Sequence, residues 1–190
     1  MQDLSLHLMD IIENSITAEA TFIDVVIERN EVDNYLKFII TDNGYGMDAK
    51  DIDKAVNPFY TSKAQRKIKV GLGIPLFKQN AEFCNGFFIL ESKKNIGTKI
   101  TVQFELNNID RMPLGNIGDT MLTSIIGHPN VNFRFELICK NKNVKMSKFV
   151  VNTEEIKNEL GDVPINYPDV VQYLDELINE GIKKTYMEEH

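Results

Sequence analysis

The chain has no tryptophan, only two cysteines and only six prolines in 190 residues. Cys84 and Cys139 are too few and too far apart to build a disulfide framework or a zinc site, so both read as small buried hydrophobes. No apolar run approaches the ~18 residues that a membrane-spanning helix needs. The N-terminus lacks the basic and then apolar pattern of a secretory signal, so a cytoplasmic location is expected. Positive charge is also short. Twenty-one Lys and Arg face 28 Asp and Glu, a net charge of −7, which argues against a dominant grip on a nucleic-acid backbone, where a basic face is favoured. With 43% apolar and 26% charged residues, global disorder is excluded. What remains is an ordinary globular chain of one domain, or one plus a small appendage.

The pattern is that of mixed helix and strand. Leu4, Leu8, Ile11, Ile12 and Ile16 recur at helical spacing behind Asp3, a candidate N-cap, and predict a helix over 4–16. His7, Asp10 and Asn14, three and four residues apart, share its polar face. On that reading His7 is a surface or N-terminal-helix histidine, with a hydrogen bond to Asp10 or a phosphoacceptor role as the functional alternatives. The β-branched runs 21–29 and 35–41 predict a hairpin. The second run empties into Asp42-Asn43-Gly44-Tyr45-Gly46-Met47, whose glycines permit backbone conformations closed to other residues.

Asp48 caps a short helix to Val56, and a polar stretch follows, with Lys63, Arg66, Lys67 and Lys69 and no acidic residue over 61–70. That stretch is either a solvated loop or a lid facing phosphates. Gly71-Leu72-Gly73-Ile74-Pro75 opens a helix to about Cys84. Runs 86–92 and 99–106, joined around Gly97, predict a second hairpin. Beyond Asn107 the pattern restarts, with a helix near 116–126, strands 132–140 and 144–151, and helices from Thr153 and Pro168. Two hairpins among helices predict an α+β two-layer sandwich, with helices on a mixed, mostly antiparallel sheet. The later strand pair either extends that sheet or forms a separate platform.

Four separated segments carry a family resemblance: the Asp10 to Asn14 helix, Asp42 to Met47, Gly71 to Gly73, and Gly97-Thr98. Their order and spacing resemble the Bergerat ATP-binding fold of the GHKL superfamily, which DNA gyrase, the large heat-shock chaperones, sensor histidine kinases and MutL-type mismatch-repair proteins share. Residues 11–21 resemble the MutL-type helix, and Asn57 to Lys63 (NPFYTSK) the segment before a kinase lid. The resemblance covers residues 1–108 as an ATP-binding domain and leaves 109–190 as a small α+β C-terminal extension, a candidate regulatory or partner-binding region.

What the resemblance implies has physical sense at each position. Asn14 would offer its side-chain oxygen to Mg²⁺, a hard ion that prefers oxygen ligands and is shared with phosphates. Asp42 would accept the exocyclic amine of adenine, which guanine replaces with a carbonyl. Gly44 and Gly46 would let backbone approach the base, and Met47 would supply apolar contact. Gly71, Leu72 and Gly73, at a helix entrance, would present N–H groups to the triphosphate. Lys63, with Arg66, would fold over the phosphates, and Thr98 resembles the threonine that supports the adenine-binding aspartate.

One position departs from the family pattern. Hydrolysing members carry a glutamate four residues before the asparagine, and Asp10 stands there, one methylene shorter, as the candidate base. Glu13 lies about 100° around the helix from Asn14 and is not nominated.

Three functions follow from the resemblance. The leading one is an Mg-ATP-binding protein like the catalytic domain of histidine kinases, transferring phosphate to an unidentified protein partner or phosphoacceptor. The others are a slow ATPase driving a conformational switch, and a non-catalytic nucleotide-sensing module of anti-sigma type.

Overall fold

The computed structural model describes residues 3–56, 73–143 and 145–187. Helix α1 (Leu4–Thr17) starts where the Asp3 carboxylate accepts the Leu6 N–H at 3.1 Å, satisfying a donor that a helix start otherwise leaves unpaired. Leu4, Leu8, Ile11 and Ile12 are at most 2% exposed, and burying each stabilises the fold by roughly 1.5–3 kcal/mol.

The hairpin β1 (Phe22–Asn30) and β2 (Tyr35–Asp42) pairs antiparallel from Ile23↔Asp42 to Asn30↔Tyr35. Its inner positions Ile23, Val25, Ile27, Leu36, Phe38 and Ile40 join α1 in the core, as strict alternation on a half-buried sheet requires. Then come α2 (Ala49–Ala55), α3 (Gly73–Phe83) and the second hairpin, β3 (Phe87–Lys93) with β4 (Gly97–Glu105). Phe77 of α3 packs among Phe38 and Phe104, with ring centroids 5.6 and 5.4 Å away, and so seats α3 on the sheet beside α1.

The C-terminal segment resolves the open question about the second strand pair. Helix α4 (Ile117–Gly127) is capped by the Asn116 side chain. It leads into β5 (Asn132–Lys140), which pairs parallel with β1 over all nine of its residues, and β6 (Met146–Asn152) pairs antiparallel on β5. The result is one six-stranded sheet in the order β3-β4-β2-β1-β5-β6. Helices α5 (Thr153–Leu160) and α6 (Pro168–Met187) follow, and Val170, Leu174 and Ile178 of α6 belong to the same hydrophobic core as α1. The expected extension thus completes the sheet that holds β2. The architecture is α+β, with a mixed, mostly antiparallel sheet, as the sequence pattern predicts. No helix among the described residues is long and apolar enough to cross a membrane.

Candidate functional site

The cavity of interest lies between α1, the Asp42–Met47 loop and β4. Its walls include Ile11, Asn14, Ser15 and Ala18 of α1 and its end, Asp42, Tyr45, Gly46 and Met47 of the loop, Ala55, Ile74, Thr98 and Ile100. The space between them, open solvent included, is about 630 Å³. The lining is mostly apolar, with a few polar groups gathered at one end.

Those polar groups converge on Asp42, which is 9% exposed at the end of β2. Its Oδ1 accepts the backbone N–H of Gly44 at 2.9 Å and of Thr98 at 3.2 Å, while Oδ2 accepts the Ser15 hydroxyl at 2.7 Å. The Thr98 bond follows from register, since Asp42 and Thr98 are direct partners across β2 and β4. A carboxylate offers about four acceptor directions. Three are taken by the protein, which leaves one on Oδ2 beside the cavity.

The loop is held in place as firmly as the carboxylate. Tyr45 donates its N–H to the Ala18 carbonyl at 2.9 Å, Asn95 donates to the Tyr45 carbonyl at 2.7 Å, and Met47 donates to Ser92 Oγ at 2.8 Å. Gly46 has φ +60°, and a Cβ there would sit 2.1 Å from the Lys93 carbonyl oxygen. Gly97 has φ +136°, and its Cβ would sit 1.9 Å from the Asp42 carbonyl oxygen. Only glycine suits both positions, so the β3–β4 turn closes directly onto the loop. Asn43 fixes the other side, its Oδ1 accepting the backbone N–H groups of Thr21 and Phe22 at 2.9 Å each.

Of the residues singled out in the sequence, Asn14, Asp42, Gly46, Met47 and Thr98 line this one cavity, and Gly44 donates to its carboxylate. The Asn14 Nδ2 is buried with no hydrogen-bond partner among the described residues. The described residues hold no cluster of three or more His, Cys, Asp or Glu able to bind a metal. Gly73, the first described residue of α3, abuts Asp10: a Cβ there would lie 2.6 Å from Asp10 Oδ2 and 2.7 Å from its Cβ. Asp10 is exposed beside the cavity rather than in its wall. Lys63, Gly71 and Leu72, with Arg66, lie outside the described residues.

One expectation changes. His7 is not a surface histidine: it is 3% exposed and stacks on Phe77 with centroids 5.5 Å apart. Neither of its nitrogens has a partner among the described residues, so it does not bond Asp10, and its burial argues against a phosphoacceptor role. Burial pushes its pKa down, against the raising influence of Asp10 and Asp3. The angle from Asn14 misplaced it because the seam between α1 and α3 runs along the polar side of α1. Glu13, by contrast, behaves as read: it lies outside the cavity wall and pairs with His128 Nε2 at 3.0 Å.

Ser15 and Ser92 escaped the sequence reading. Ser15 had a usable signal, since it stands at i+3 and i+4 from Ile12 and Ile11, and a polar residue on a buried helix stripe demands a partner.

A two-layer α+β fold that gathers a buried carboxylate, an asparagine and two glycine turns around one mostly apolar cavity defines a small-molecule-binding class of site. Comparison gives the family. Residues 3–124 match the family described as histidine kinase-, DNA gyrase B- and HSP90-like ATPase, and the chain belongs to it. Over 89 residues it is 33% identical to the sensor histidine kinase YvrG of Bacillus subtilis (strain 168), a match covering 46% of this chain and 15% of that relative. Among solved structures it is similar to the Aquifex aeolicus MutL ATPase domain complexed with ADP. That likeness has a TM-score of 0.42 and 17% identity, over 71% of this chain and 60% of that one.

Proposed function

We propose that this chain binds Mg-ATP in the α1–β2–β4 cavity and transfers the terminal phosphoryl group to a partner protein, in the manner of a histidine kinase catalytic domain. The observation that carries the binding half is the Asp42 constellation: a buried carboxylate with one acceptor direction left toward an apolar cavity suits an exocyclic amine on a flat ring. Family membership supports ATP as the ligand, and likeness to a sensor histidine kinase supports transfer.

Asp42 receives the amine, and Met47, Ile100 and Ile74 enclose the ring. The Asn14 oxygen would hold an Mg²⁺, which would neutralise phosphate charge. Phosphoryl transfer then depends on positioning and electrostatics more than on covalent chemistry. Asp10, one turn before Asn14, is placed to orient a nucleophile or water.

Titration calorimetry with Mg-ATP tests the site. Saturable binding is expected, weakened roughly 100-fold in Asp42→Asn, because a charge-assisted hydrogen bond contributes about 1.5–3 kcal/mol and the amide adds a repelling donor. No saturable heat from the wild type rejects the reading. Incubation of cell lysate with γ-labelled ATP then separates the activities. Label on a second protein, lost in Asn14→Ala, supports transfer. Phosphate release without label transfer makes the chain an ATPase, and binding with neither makes it a sensor.

A further inference from the structure

Ser92, on β3, lies behind the same end of the cavity, next to Thr98 and the Met47 N–H that it holds. Its Oγ accepts the Met47 N–H at 2.8 Å, donates to the Gly97 carbonyl at 3.0 Å and lies 2.9 Å from Thr98 Oγ1. A serine hydroxyl has one proton and two lone pairs. Were that proton directed at Thr98, Ser92 Oγ and the Gly97 oxygen would face each other at 3.0 Å with no hydrogen between them, two acceptors in repulsion. The arrangement closes only one way. Ser92 donates to Gly97, and its two lone pairs take the Met47 N–H and the Thr98 hydroxyl proton.

The consequence reaches the ligand. With its proton committed to Ser92, Thr98 Oγ1 has only lone pairs left for the cavity it lines. Asp42 stands directly across the β2–β4 register, with its Oδ1 taken by two backbone N–H groups and one direction free on Oδ2. Both side chains at this end are therefore acceptors. A purine 6-amino group has a hydrogen for each of the two acceptors, whereas a 6-oxo oxygen sets its lone pairs against both, and a site built to pair one group rejects the other strongly.

We propose that Ser92 is a specificity-determining positioning residue, which holds the Thr98 hydroxyl as a second acceptor beside Asp42 and thereby excludes 6-oxo purines. This rests on the nucleotide-binding reading of the same cavity. Without Ser92 the Thr98 hydroxyl is free to rotate and donate to a carbonyl.

Mg-ATP and Mg-ITP, which differ only along that edge, are the probes, with affinities measured by titration calorimetry and folding checked by thermal melting. The wild type favours ATP. Ser92→Ala narrows the ATP-to-ITP ratio roughly tenfold, mainly by gaining ITP affinity, and Ser92→Thr, which keeps the hydroxyl, retains the wild-type ratio. Thr98→Val narrows the ratio as well, whether or not Ser92→Ala folds. An unchanged ratio in folded Ser92→Ala, a Ser92→Thr ratio as narrow as that of Ser92→Ala, or a full ratio in Thr98→Val each overturns the role of Ser92 and leaves the binding site standing. A wild type that binds neither nucleotide overturns both.

Discussion

Ser15 of α1 donates its hydroxyl to Asp42 Oδ2 of β2 at 2.7 Å, across 27 residues of sequence. The bond ties the helix that carries Asn14 to the strand that carries the buried carboxylate. The Asn14 and Asp42 sides of the cavity are thus held at a fixed separation. The same hydroxyl lies 3.2 Å from the Ile11 carbonyl, the weaker of its two acceptors, because a carboxylate draws the proton more strongly.

Ser15→Ala is therefore expected to act on binding as well as on stability. It leaves Asp42 with two protein donors in place of three. A lost charge-assisted bond in a partly satisfied site contributes about 1.5–3 kcal/mol at most; access of water or ligand to the freed oxygen reduces the net cost to about 1 kcal/mol. Urea titration should show that loss, and Mg-ATP affinity should fall about three- to tenfold. Equal affinity in the two proteins would show that Asp42 is oriented without Ser15.

Gly97→Ala is expected to be among the most damaging small substitutions in the chain. The new methyl would lie 1.9 Å from the Asp42 carbonyl oxygen at a φ of +136°, so relief requires moving either the β3–β4 turn or the end of β2. Strain of this kind costs roughly 2–4 kcal/mol, to be read as a lowered urea midpoint at unchanged slope. A loss below about 0.5 kcal/mol would mean that the turn is not closed on the loop.

Much of this arrangement was legible in the sequence, and the reason is physical. Positions 22–28 and 35–42 alternate in burial because one sheet face is buried, and Asp42-Asn43-Gly44-Tyr45-Gly46-Met47 announces itself because Gly46 must adopt a left-handed backbone. What stayed hidden depends on partners remote in sequence. Whether β5 joins the first sheet is decided by its pairing with β1, more than a hundred residues earlier. Ser92 looks like any strand serine until the turn folds back on it. His7 misled for the same reason, since helical angles say which residues share a face but not what packs there.

His7 gives the fold a calculable acid sensitivity. Burial pushes its pKa below the ordinary value of 6.5, so as pH falls through 6.5 the unfolded chain takes up a proton that the folded chain refuses. Stability rises with pH wherever the unfolded state binds more protons. The His7 contribution is therefore complete above pH 6.5 and declines below it, until the folded-state value is reached. His7→Phe keeps the stack on Phe77 and removes the titration. Urea midpoints at pH 7.5 and pH 5 should drop more in the wild type than in His7→Phe, all other groups being common to both. Equal drops would place the acid sensitivity elsewhere.

The contact between Gly73 and Asp10 predicts an energetic coupling between α3 and α1 beside the cavity. A methyl on Gly73 would meet Asp10 Oδ2, Cβ and Cγ at 2.6, 2.7 and 3.0 Å, all side-chain atoms of one residue. Gly73→Ala alone should cost about 1–3 kcal/mol as an overpacked contact, and Asp10→Gly alone about 1 kcal/mol as a helix-interior glycine. In the double variant the obstructing atoms are gone while the alanine favours the helix, so the two costs should fall short of adding by about 1 kcal/mol or more. A double-mutant cycle by urea unfolding measures that term directly. Strict additivity would show that Gly73 does not sit on Asp10. The candidate base would then be free of the helix whose start is expected to face the phosphates.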